Sequence, residues 1–262
     1  MQTVRTPAVA GLFYPASAGE LHAQVRQFLS QVEPSTEPPP KAIIVPHAGY
    51  IYSGPIAASA YARLQAVRDV ITRVVLLGPS HRVGFRGIAV SSMTAFATPL
   101  GQIPVDQAAI EQVRQLPEVG FLEQAHAQEH SLEVHLPFLQ EVLGAFKLVP
   151  LVVGDARPPQ VGAVLETLWG GPETLIVISS DLSHYHDYQT ARTIDRETSS
   201  AIENLRFEDI SYEQACGRNP VNGLLWVARR KGLRGETLDL RNSGDTAGTR
   251  DQVVGYGAYA FH

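Results

Sequence analysis

"KAIIVPHAGYIYSG", residues 41–54, opens as a strand and closes on a histidine held in a turn. Ala42, Ile43, Ile44 and Val45 form a short, β-branched apolar run of the kind covered on both faces of a sheet. Pro46 and Gly49 then mark a turn, and Ser53-Gly54-Pro55 reads as a helix N-cap with proline at the first helical position. A helix is expected over 54–65. His47 falls in the loop at the carboxyl end of a strand, where open α/β sheets hold their ligands.

The same alternation extends on both sides. An amphipathic helix is expected at about 17–31, followed by the Pro-rich connection "VEPSTEPPPK", residues 32–41. Downstream, "RVVLLGPSH" gives a strand ending near Leu77, "GIAVSS" a strand and "DQAAIEQVRQL" a helix. "SLEVHLPFLQEVLG" reads as a helix with Pro137 near its middle, with Ser131 as N-cap and Glu133 as a first-turn acid. "KLVPLVVGD" is a strand, "PPQVGAVLETLWG" a helix and "TLIVISSDLSH" a buried strand. Helices at about 188–204 and 220–231 and strands at about 236–241 and 253–261 close the chain. Strands alternating with helices predict an α/β protein, with a central, largely parallel or mixed sheet covered on both faces. No internal repeat interrupts the pattern, so residues 1–262 are read as a single domain.

Composition narrows the function. The 262 residues include 44% hydrophobic and 18% charged side chains, a balance that suits a globular chain with a substantial core. A formal net charge of −5 leaves no basic footprint, which disfavours a nucleic-acid partner. No apolar run is long enough to span a bilayer, and the N-terminal stretch lacks the charged and apolar regions of a signal peptide. The single cysteine, Cys216, excludes an intrachain disulfide and suits a reducing cytoplasm.

Three buried-type strands end alike: "IIVP" runs into His47, "VVLLGPS" into His81, and "LIVISSDLS" into Asp181 and His184. If these strands are parallel, their carboxyl ends share one sheet edge and the side chains converge in one cleft. Ser179 and Ser180 are read as turn caps, because no G-x-S-x-G elbow surrounds any serine. In "AHAQEHSLEVHLPFL" the H-E-x-x-H pattern of zincins is missing, and Glu129 and His130 are taken to line the cleft. Cys216 precedes Gly217 and a helix expected to start at Pro220, a position that lowers a thiol pKa. With His47 and His81 it completes a two-imidazole, one-thiolate set suited to iron, copper or zinc rather than magnesium or calcium. Tyr50, Tyr52 and Phe13 are candidates for an aromatic lining of the cleft.

"PHAGYIYSG", "LLGPSH", "EHSLEVHLPFL", "SSDLSHY", "ACGRNP" and the terminal "VVGYGAYAF" together resemble, in this order, the Memo protein family, also called protein B of the AmmeMemoRadiSam system. The likeness runs from "TPAVAGLFYPAS" to the C-terminus. It implies a three-layer α/β/α fold with a central mixed sheet, similar to the class III non-haem iron extradiol dioxygenases. Carried over by the resemblance, the metal-site residues fall on His47, His81 and Cys216, and the dioxygenase base on His184 with Asp181 beside it. The dioxygenases use a carboxylate where this chain has Cys216, and an oxidisable thiolate makes ordinary ring cleavage doubtful. The resemblance also implies an AMMECR1-like protein and a radical SAM protein as partners.

Three functions compete at this stage. The first is a metal-dependent redox enzyme using iron or copper on a small molecule, with His184 moving a proton and Asp181 orienting it. The second is a scaffold that keeps the cleft for a peptide or modified partner. The third is hydrolysis at zinc.

Overall fold

The computed structural model describes residues 3–262. The chain starts with β1 (Val4–Arg5), α1 (Ala18–Ser30), β2 (Ala42–Val45) and α2 (Tyr50–Tyr61). Then come β3 (Arg73–Pro79), β4 (Ile88–Val90), β5 (Ala95–Thr98), β6 (Gly101–Pro104), α3 (Gln107–Val113), β7 (Val119–Phe121) and α4 (Glu123–Ala127). The next elements are α5 (Leu136–Val142), β8 (Lys147–Val153), α6 (Pro158–Leu168), β9 (Thr174–Ser179) and β10 (His184–His186). The chain closes with α7 (Tyr188–Glu203), α8 (Arg218–Lys231), β11 (Gly235–Asn242) and β12 (Val253–Phe261).

The main sheet is mixed, with strand order β10-β12-β2-β9-β3-β8-β4-β7 and β11 also paired to β12. Its centre is parallel: β9 lies between β2 and β3, with Val45 opposite Ser179 and Leu77 opposite Ile178. Every residue of β2 and of β9 is buried, as expected for parallel strands sandwiched between helices. Helices α3, α6 and α8 pack together against β3, β8 and β9, while α1, α2 and α5 pack together with α2 on β2 and β12. The result is the three-layer α/β/α arrangement with a mixed central sheet. Removing a side chain such as Ile43, which is fully buried, to alanine would destabilise it by about 2–5 kcal/mol. Among the described residues, no helix is long and apolar enough to cross a membrane.

Three helix starts differ from the sequence reading. Helix α2 begins at Tyr50 rather than Gly54, because Ser53 donates its hydroxyl back to the Ala48 carbonyl at 2.8 Å instead of capping a later helix. Pro55 is therefore interior; the carbonyl it leaves without an i+4 donor belongs to Ile51, which is exposed to water. The 131–144 segment is not one helix. A 3-10 turn over Glu133–His135 precedes α5, and Pro137 sits in the first turn of α5, where a missing N–H goes unnoticed. Helix α8 starts two residues before the expected Pro220. The short strands β1, β5, β6, β7 and β10 had no counterpart in the sequence reading.

Candidate metal centre

Parallel pairing of β2, β9 and β3 brings the three strand ends to one edge of the sheet. His47 follows β2, Asp181 follows β9 and His81 follows β3. Cys216 joins them from the turn before α8. That turn presses close to the end of β9: a Cβ on Gly217 would lie 2.4 Å from the Ser179 carbonyl oxygen, so the position requires glycine. The Gly217 N–H is fixed by the Ser180 hydroxyl at 3.0 Å. Ser180 is therefore the brace for the cysteine turn.

His47, His81 and Cys216 each present a donor atom within 4.8 Å of the others. The Cys216 sulfur lies 3.5 Å from His47 Nε2. Nitrogen and sulfur ligands at about 2.0 and 2.3 Å in a tetrahedral arrangement are separated by about that distance. The donor chemistry thus fits a borderline or soft metal ion. The His47 imidazole is almost fully buried, and burial, then the neighbouring histidines, hold its pKa well below the usual range. It is the neutral form that ligates a metal.

Cys216 differs from expectation. Burial, then the Asp181 charge, push its thiol well above its ordinary pKa, which overrides the helix N-terminus. In the absence of a cation the thiol keeps its proton. Asp181 is pushed up to about 7 by burial, against the lowering effect of the His47 and Ala48 N–H groups. Its Oδ1 accepts the His47 backbone N–H at 2.7 Å and its Oδ2 lies 3.9 Å from His47 Nε2. The carboxylate therefore faces His47 and does not raise the pKa of His184. Burial lowers His184 instead, and its Nδ1 sits 2.8 Å from the Leu182 carbonyl.

Glu129 stands behind His81. One carboxylate oxygen is 2.8 Å from His81 Nδ1 and accepts the Ser131 N–H at 3.0 Å; the other accepts the His81 N–H at 2.6 Å. Burial alone would raise this acid, but the bonds from His81 and Ser131 bring it down to about 2. His130 stacks on His81 with ring centroids 4.5 Å apart, and Phe13 packs on His130 at 4.8 Å. A second candidate set, His81, Glu129 and His130, shares His81 with the first.

Beside these groups lies a cleft of ≈ 600 Å³, walled by Phe13, Tyr52, His130, Asp181, His184 and Tyr185, among others; it reaches the metal set through Asp181 and His130, and His47, His81 and Cys216 do not line it themselves. Glu129 does not line it, and Tyr50 is in the core with its hydroxyl on the Val134 carbonyl at 2.7 Å. Sequence reasoning missed how Phe13 is held. Glu133, expected to serve a helix dipole, is a buried carboxylate. It accepts from Arg5 at 2.6 Å, Tyr14 at 2.6 Å and the Ala8 and Val9 N–H groups at 2.8 and 2.9 Å. An acid between Leu132 and Val134 in an apolar stretch was the available signal, though its partners lie over a hundred residues away.

A family model described as "Memo-like protein" matches residues 5–260. A MEMO1 family protein of Aquifex aeolicus is 40% identical over 264 residues, covering 97% of both chains. One from a Thermotoga species is 37% identical over 96% of this chain and 97% of its own. One from Sulfolobus acidocaldarius is 34% identical over 97% of each.

Proposed function

The chain belongs to the Memo family, and on that premise we propose that it is a metal-dependent redox protein whose His47, His81 and Cys216 hold one iron or copper ion. The observation that supports this most is the donor set: two imidazoles and a thiol within 4.8 Å of one another, at the ends of three different elements. Thiolate and imidazole favour iron, copper or zinc over the hard cations, and of these iron and copper change oxidation state. Bound there, the ion would supply one-electron chemistry and polarise a substrate oxygen.

The protein's own groups do the rest. Cys216 would hold the ion as a thiolate, its proton passing to solvent. His184 is neutral near pH 7 because burial lowers its pKa, and its Nδ1–H is committed to the Leu182 carbonyl, so Nε2 is a base facing the cleft. Asp181 holds the His47 loop through the backbone N–H. Phe13, Tyr52 and His130 provide an aromatic wall for a small substrate of matching planarity. A lone thiol ligand suits the reducing cytoplasm. Partnership with an AMMECR1-like protein and a radical SAM protein belongs to the same proposal, and co-purification from the native source checks it.

Metal analysis of protein purified without oxygen tests the reading. Iron or copper near stoichiometry is expected; stoichiometric zinc would favour metal-assisted hydrolysis with His184 as base.

A further inference from the structure

A hydroxyl has one proton to give, and Ser179 gives its proton away from the site. Its Oγ donates to the Ser131 carbonyl at 2.6 Å, while His47 Nδ1 lies 2.6 Å from the same oxygen. Ser179 therefore meets His47 as an acceptor, and the imidazole must carry its proton on Nδ1. His47 Nε2 is then a bare lone pair, and it is the atom that lies 3.5 Å from the Cys216 sulfur. On the other histidine, Glu129 accepts the Nδ1–H of His81 at 2.8 Å, which turns Nε2 toward the site as the atom available to a metal.

Both acceptors rest on one corner of backbone. Ser131 gives its carbonyl to Ser179 and its N–H to Glu129, and its own hydroxyl anchors to the Pro79 carbonyl at 2.8 Å, on the strand leading to His81. Ser131, Ser179, Glu129 and His47 are all buried, so water does not compete for these bonds.

Resting on the metal-centre reading above, we infer that Ser179, read from sequence as a turn cap, is a positioning residue: it fixes the Nδ1–H tautomer of His47. Glu129 does the same for His81, and the Glu129–Ser131 corner couples the two. Groups that hold the far nitrogen of a metal-binding histidine in this way change metal affinity by about 10–100-fold when removed.

The test begins with the metal-free wild type. Long-range ¹H–¹⁵N correlation of ¹⁵N-histidine protein, with the His47 signals assigned by loss in His47→Ala, reads the tautomer directly. The Nδ1–H form is expected for His47, and an Nε2–H form overturns the inference without any Ser179 variant. In Ser179→Ala the tautomer should shift toward Nε2–H, and anaerobic iron(II) titration should show binding weakened about 10–100-fold, with the fold checked by circular dichroism. If His47→Ala and Cys216→Ser weaken iron(II) binding while Ser179→Ala binds as wild type, the inference about Ser179 fails and the metal centre stands. If none of the three weakens it, both fail.

Discussion

His184 offers one ring nitrogen to the cleft and commits the other to the Leu182 carbonyl. That geometry separates it from His47 and His81, whose second nitrogens face Ser179 and Glu129. It also corrects the expected electrostatics, since Asp181 turns to His47 and burial leaves His184 a neutral base. His184→Gln should leave metal content at the wild-type level and lower turnover by about 10²-fold or more, the usual scale for a general base. Loss of metal as complete as in His47→Ala would make His184 a ligand instead. At this scale the sequence was informative where a reactive side chain follows an apolar run, as His47, His81, Asp181 and His184 do. Cys216 follows no strand; its neighbouring helix start and the family likeness pointed to it. Ser179 stayed hidden because the direction in which a hydroxyl gives its proton depends on the Ser131 carbonyl, 48 residues away.

Between elements, the decisive contacts are close approaches and buried charges. The β9 strand and the turn before α8 meet where Gly217 leaves no room for a Cβ, which lets Cys216 reach the ends of β2 and β3. The segment from β1 to Tyr14 is tied to the Glu133 turn by Arg5, whose guanidinium also reaches the His126 and Glu129 carbonyls at 2.8 and 2.7 Å. That clamp places Phe13 against His130. A buried carboxylate satisfied by four donors is far more costly to break than an exposed pair. Glu133→Gln should destabilise the protein by about 3–5 kcal/mol in urea denaturation, because the Arg5 charge stays buried without its partner. A change under about 1 kcal/mol would show that the pair is dispensable. Long apolar strands and amphipathic helices were legible here because periodicity is local. The short strands β1, β5, β6, β7 and β10 and the Arg5–Glu133 pair were not, since they carry too few residues to show a period or depend on a partner distant in sequence, and the start of α2 was not because Ser53 turns its hydroxyl back to Ala48.

Across the whole molecule, the parallel order β2-β9-β3 turns three separate strand-end motifs into one site. Its histidines also set a pH dependence. His126 and His135, both buried outside the metal set, have pKa values lowered by burial to about 4 and about 3 from 6.5. Their folded pKa values lie below the unfolded one, so below about pH 6.5 the unfolded chain takes up protons that the folded chain refuses. Stability is full above that pH and is lost as pH falls toward 4 and then 3. Between pH 6.5 and 5 each group should remove about 2 kcal/mol from the metal-free protein. Denaturation midpoints at pH 7 and pH 5 check this, and His126→Asn should show a smaller loss. Equal losses in variant and wild type would remove His126 from the account.

The architecture was readable from alternation alone because parallel strands must be covered on both faces, whereas the coupling of the two histidines through Glu129–Ser131 depends on the folded positions of three loops. The most direct test of the central claim is elemental analysis of wild type, His47→Ala, His81→Ala and Cys216→Ser, all purified without oxygen. The account predicts about one iron or copper per wild-type chain and at least a tenfold weaker hold on the ion in every variant. Metal retained at the wild-type level in all three variants would contradict it.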